Sequence, residues 1–245
     1  MEGGRMKSDF VIGVLGGMGT YATIHLFRQY AEIFPAEKEW ERPRLVIDNR
    51  CTMPSRVRAA LYGENESRLV AEMSESLENL LRIGCTRIIL GCNTSHLFLP
   101  RIAEKLPGLR EKVVSLIDAC ANAIAEDAVP GVFLLGTEGT LESRVYQNAL
   151  ARQGVDCAAP APGDYAKVRR CIEAVKQNRF PDGVLSDFLS LVRDKSHCVL
   201  GCTELPAFRE RFGREIGAET KTKFYDPVEL ALRRIRGEFL ENTHG

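Results

Sequence analysis

The chain has 245 residues, of which 44% are hydrophobic, enough to bury a sizeable core and too many for a disordered chain. Its 33 Lys and Arg balance 33 Asp and Glu, which disfavours a phosphate-tracking nucleic-acid binder, because such a protein carries a basic excess. No apolar run approaches the ~18 residues of a membrane span, and Met1–Asp9 lacks the apolar segment of a signal peptide, so a cytoplasmic protein with a polar N-terminal extension is expected, Met6 being an alternative start.

In chain order, the first apolar β-branched run, Val11–Leu15, reads as a buried strand that turns through Gly16-Gly17-Met18-Gly19 into a helix over Thr20–Phe34. Strands at Arg44–Ile47 and Arg87–Leu90 flank a long helix, Asn65–Ile83. Val113–Ile117 reads as another strand, followed by a helix over Ala119–Glu126. The alternation then resumes: strand Val132–Leu135, helix Glu142–Gln153, strand Asp156–Ala159, helices Tyr165–Gln177 and Val184–Asp194, strands Cys198–Leu200 and Lys223–Tyr225, and helix Pro227–Leu240. The strands are uniformly apolar rather than alternating, as strands covered on both faces are. The pattern predicts α/β architecture with open, mostly parallel sheets flanked by helices.

Two segments echo two others in the same order. Val11–Thr20 resembles Val132–Thr140, each an apolar strand breaking into a Gly/Thr turn before a helix. Downstream, Ile88-Ile-Leu-Gly-Cys-Asn-Thr94 matches Cys198-Val-Leu-Gly-Cys-Thr-Glu204. Gly16 precedes Cys92 by 76 residues, and Gly136 precedes Cys202 by 66. This points to a duplicated lobe. The expected lobes are residues 1–110 and 111–216, with 217–245 packing back on the first and a site between them.

Eight cysteines without a CxxC pair argue against structural zinc, and a reducing compartment keeps them as thiols. Cys92 and Cys202 stand apart because each follows an apolar strand and Gly, and precedes small polar residues. That places each thiol at the carboxyl end of a parallel strand, where α/β sheets bind ligands, and before a helix N-terminus, which lowers a thiol's pKa. A molecule held between facing lobes can lose a proton to one thiol and gain one from the other. The remaining six cysteines are expected to be packing residues. Asn93-Thr94-Ser95 and Thr203-Glu204 supply amide, hydroxyl and backbone donors for a carboxylate.

Gly17-Met18-Gly19-Thr20-Tyr21-Ala22 also fits a dinucleotide fingerprint, yet Asp48 lies 29 residues beyond Gly19, further than the usual ~20, and the fingerprint leaves the cysteine echo unexplained. Arg50, Arg56 and Arg58 form a basic loop suited to a second carboxylate, and Lys167, with Arg169 and Arg170, points the same way. His96 is placed to tune Cys92 or to cap a helix; His25, His197 and His244 show no partner.

LGGMGT, LGCNTSH and LGCTELP, in this order, resemble the aspartate/glutamate racemase superfamily, most closely its aspartate racemase branch, over nearly the whole chain. The resemblance implies two pseudo-symmetric lobes, usually a homodimer, and racemisation without pyridoxal phosphate, other cofactor or metal. It implies that Cys92 and Cys202 are the catalytic pair and that Asn93, Thr94 and Thr203 hold the α-carboxylate and ammonium, helped by Gly17, Met18, Gly19, Thr20 and Thr137. Glu204 joins this binding set, and Arg56 and Lys167 would grip a side-chain carboxylate. The expected substrate is aspartate or glutamate, with no nucleic-acid or membrane partner. The Asp-Ser-Gly-type turn of wall-building glutamate racemases is absent, and Asp48–Cys51 matches nothing in the family pattern. Two other readings stay open. One is a carbanion or cysteine-adduct enzyme of the superfamily: its decarboxylases keep one cysteine, its maleate isomerases two. The other is a non-catalytic amino-acid-binding protein.

Overall fold

The computed structural model describes residues 10–244; the N-terminal extension with Met6 and the side chain of His244 lie outside the described residues. The first half runs β1 (Val11–Gly16), α1 (Thr20–Ile33), β2 (Arg44–Asn49), α2 (Arg56–Tyr62), α3 (Glu66–Ile83), β3 (Arg87–Leu90), α4 (Leu99–Ala103) and α5 (Leu109–Lys112). Then come α6 (Leu116–Glu126), β4 (Gly131–Leu135), α7 (Glu138–Glu142), α8 (Val145–Ala151), β5 (Asp156–Ala158), α9 (Tyr165–Gln177) and α10 (Val184–Val192). The chain continues through β6 (His197–Leu200), α11 (Glu204–Arg211), α12 (Gly213–Glu219), β7 (Lys223–Tyr225) and α13 (Pro227–His244).

Two parallel sheets carry the echo seen in the sequence. Their strand orders are β2-β1-β3 and β5-β4-β6-β7. In each, the first strand of the half is central and pairs on one side with the strand that leads to a cysteine. The registers correspond: Leu15 lies opposite Leu90, and Leu135 opposite Leu200. Every residue of β1 is buried, as expected of a strand with helices on both faces. Ile12 and Val14 pack with α1, α6 and α13, while Val11 and Leu15 pack with α3. The segment beyond residue 216 divides between the halves: β7 extends the second sheet beside β6, whereas Val228, Ala231, Leu232, Ile235 and Phe239 of α13 cover the first.

Two expected elements are corrected. Val113–Ile117 is not a strand. Only Val113 bridges to Ile88; Ser115 then accepts the Asp118 N–H at 3.1 Å and caps α6, so the cap overrides the apolar run. The helix expected over Glu142–Gln153 is α8 alone, which starts only at Val145 because Arg144 before it adopts φ 57°. Helices α2, α5, α7 and α12 were not anticipated, being 4 to 7 residues long, whereas the helix starts expected after Cys92 and Cys202 are a helical turn over Thr94–Phe98 leading into α4, and α11. No helix among the described residues is long and apolar enough to cross a membrane.

Candidate active site

The Leu-Gly-Cys segments work by the same backbone device. Gly91 N–H donates to the Leu15 carbonyl at 2.8 Å, and Gly201 N–H donates to the Leu135 carbonyl at 2.7 Å. A Cβ on Gly91 would lie 3.1 Å from the Leu15 oxygen; on Gly201 it would lie 2.9 Å from the Leu135 oxygen and 2.7 Å from Leu134 Cδ1. Glycine thus permits the chain to press against the central strand at its carboxyl end before the cysteine emerges. Cys92 is half-buried and Cys202 buried, and both line one cavity of about 40 Å³, room for about one water. Met18, Arg56, Asn93, Thr94, Thr137, Lys176 and Glu204 line it with them.

Groups from the two halves interlock around that cavity. Thr203 Oγ1 donates to the Gly91 carbonyl at 3.1 Å, and Tyr146 donates to Asn93 Oδ1 at 2.5 Å. The hydroxyl of Thr94 lies 2.9 Å from those of both Thr137 and Thr140. Arg56 donates to the carbonyls of Met18 at 2.7 Å and Pro54 at 3.0 Å, which fixes its guanidinium against the Gly16–Thr20 turn. Among the described residues, Asn93 Nδ2, Arg56 Nε and Glu204 Oε1 are buried without a hydrogen-bond partner. Buried polar atoms are rarely left so, and these three stand where a polar ligand can satisfy them.

Cys202 departs from expectation. Its pKa is raised well above the ordinary thiol value, first by burial and then by Glu204, and Sγ donates to Glu204 Oε2 at 2.9 Å. Thr203 and α11 follow directly, but the proximity of a helix start is outweighed by desolvation. Glu204 is itself pushed up by burial, opposed by the nearby Lys176 charge.

The other expected residues fall as follows. Thr20 is exposed, its hydroxyl 3.2 Å from Cys51 Sγ. Gly17 N–H donates to Thr23 Oγ1 at 3.1 Å, and Gly19 borders Glu204. Lys167 does not line the cavity; it pairs with Asp164 at 2.8 Å, and the lysine at the cysteines is Lys176, which the sequence reading did not single out. Of the arginine cluster only Arg56 reaches the cysteines, since Arg50 pairs with Glu75 at 2.6 Å and Arg58 with Glu64 at 2.5 Å. His96 is a buried structural residue: Nδ1 lies 3.1 Å from the Cys92 carbonyl, and Nε2 accepts the Leu116 N–H at 3.3 Å. His25 does have partners, Glu210 at 2.9 Å and Asp226 at 3.9 Å. Cys51 is exposed rather than packed, and Cys157 is half-buried; Cys85, Cys120, Cys171 and Cys198 are buried as expected.

Volume alone would mislead. A cleft of about 650 Å³ lies among α1, α11, α12 and α13, lined by His25, Arg28, Glu210 and Arg236, away from both cysteines. A second of about 370 Å³, between α2 and α9, shares Ser55, Val57, Thr137 and Lys176 with the cysteine cavity.

Residues 15–235, which include both halves and both cysteines, match the Asp/Glu/Hydantoin racemase family. The chain belongs to that family. It is accordingly an isomerase of the racemase type. It is 24% identical over 214 residues to the broad specificity amino-acid racemase RacX of Bacillus subtilis, covering 84% of this chain and 90% of that protein. It is 27% identical over 200 residues to glutamate racemase of Dinoroseobacter shibae, covering 72% and 69%. Among solved structures, Picrophilus torridus aspartate racemase superposes with a TM-score of 0.75 at 22% identity, over 94% of each chain, and so shares the fold.

Proposed function

We propose that this protein is a cofactor-independent amino-acid racemase that interconverts L- and D-aspartate, with glutamate as the neighbouring candidate, by two-base proton transfer at Cα between Cys92 and Cys202. What carries the reading is the convergence of equivalent cysteines from the two halves on one small cavity that also holds two cations, Arg56 and Lys176. The activities of the relatives, broad-specificity amino-acid and glutamate racemisation, support the same substrate class.

In this reading the side-chain carboxylate meets Arg56 and Lys176, Lys176 taking the place that the resemblance gave to Lys167. Asn93, Thr94, Thr137 and Thr203 hold the α-carboxylate, with Met18 and Gly19 forming the wall beside them. The open Glu204 Oε1 accepts from the α-ammonium. Cα–H is a very weak acid, so donors aimed at the α-carboxylate must stabilise the charge of the developing enediolate. A closed, dry site strengthens those bonds, and a cavity of about 40 Å³ implies that the halves part to admit substrate. With Cys202 holding its proton, Cys92 removes the Cα proton from one face and Cys202 delivers one to the other. The swapped state serves the opposite enantiomer. Eight free thiols suit a cytoplasmic location, and the homodimer rests on the resemblance.

The test is incubation in deuterated water with L- and D-aspartate, followed by proton NMR and chiral chromatography, with glutamate and other amino acids alongside. Loss of the Cα–H signal with growth of the opposite enantiomer is expected. Binding without exchange would instead indicate an amino-acid-binding protein, and a product other than the enantiomer another enzyme of the superfamily.

A further inference from the structure

We infer that Glu204 is a positioning residue that carries a proton for Cys202, so that this buried pair does not keep two negative charges. Its consequence for turnover rests on the racemase reading; its primary test does not.

Glu204 is 1% exposed, and its two oxygens have different surroundings. Oε2 accepts the Cys202 thiol at 2.9 Å, whereas Oε1 has no partner among the described residues. The opposite half makes room for it: a Cβ on Gly19 would come within 2.5 Å of Oε1. The charged groups facing the pair are Lys176 from α9, Arg56 from α2 and the Cys92 thiol beyond β3. Neither cation closes an ion pair with Glu204 among the described residues. Lys176 pairs with Glu173 at 3.1 Å, and Arg56 is held by the Met18 and Pro54 carbonyls. A carboxylate removed from water and left without a direct cation favours protonation, and so does a thiol beside it; both groups are displaced upward, burial being the leading cause for each.

The proton count follows. While Cys202 is a thiol, the pair carries one charge, on Glu204. When Sγ gives its proton to the carbanion, a C–H bond forms and the S–H electron pair stays on sulfur as a thiolate, 2.9 Å from a second anion. Like charges so close in a dry site cannot both persist. As the product leaves and water reaches Oε1, Glu204 takes a proton there and passes one to Cys202 from Oε2. The S–H bond re-forms and the carboxylate returns. Cys92, left as a thiol, releases its proton to water, so the cycle consumes none.

The experiment compares the pH dependence of Cys202 alkylation by iodoacetamide in the full-length protein and in Glu204→Gln, read at Cys202 by peptide mass spectrometry without substrate. The wild type should react only in the alkaline range, and Glu204→Gln should move the midpoint down by about one pH unit or more. Glu204→Asp, which keeps the charge, should stay nearer the wild type and serves if the Gln protein does not fold. Superimposable profiles, including no reaction in either protein, overturn the inference. In turnover, Glu204→Gln should lower kcat for aspartate about tenfold or more and displace the kcat–pH profile. A wild type inactive on every amino acid would defeat the racemase reading while leaving the alkylation result standing.

Discussion

At the end of β3, Cys92 is half-buried among amide and hydroxyl side chains; at the end of β6, Cys202 is buried with a carboxylate 2.9 Å away. The backbones that deliver them correspond bond for bond, from the Gly91–Leu15 and Gly201–Leu135 hydrogen bonds to the facing leucines of the register. The two halves thus agree in where they place a cysteine and differ in what surrounds it. The proposed two-base reaction uses both features, since it places one group on each face of Cα and needs one to accept a proton while the other gives one.

The comparison breaks most sharply if the thiols are removed in turn. Cys92→Ala and Cys202→Ala should each lower racemisation of aspartate by about 10²–10⁴-fold, the usual weight of a positioned acid or base, measured by chiral chromatography. If one protein kept near wild-type rate, the thiols would not act as a pair. The next largest effect separates two lysines of one helix. Lys176→Ala should lower kcat/KM about 10- to 100-fold, as loss of a charge-assisted hydrogen bond does, while Lys167→Ala stays near wild type. The smallest effect compares the two glycines. Gly201→Ala, where a Cβ meets Leu134 Cδ1 at 2.7 Å, should cost about 1–3 kcal/mol in denaturant unfolding, and Gly91→Ala less, its nearest atom being at 3.1 Å.

How much of this the sequence carried depends on the kind of signal. The strands leading to Cys92 and Cys202 were legible because apolar runs ending in Gly-Cys recur in a fixed order. The choice of lysine was not. Lys167 and Lys176 lie nine residues apart on α9, which separates them by about 13 Å along the axis and half a turn around it, and only tertiary packing decides which end meets the cysteines. Val113–Ile117 failed for a local reason, since five mostly apolar residues suit a strand or a helix start and Ser115 settled the matter by capping. Glu204 was placed beside Cys202, but nothing in its position foretold that its carboxylate would be buried. One wall of that buried site is Gly19, far away in the chain, whose missing Cβ leaves room for Oε1.

One feature of the fold bears on how the chain is made. The face of the first sheet formed by Ile12 and Val14 is covered by α13, a helix synthesised after the whole second half. During translation that face has only α1 and α6 to cover it until α13 leaves the ribosome, so the first half begins the molecule and is among the last parts to be completed. β7, which pairs with β6, immediately precedes α13, so both halves draw on the same last stretch of chain.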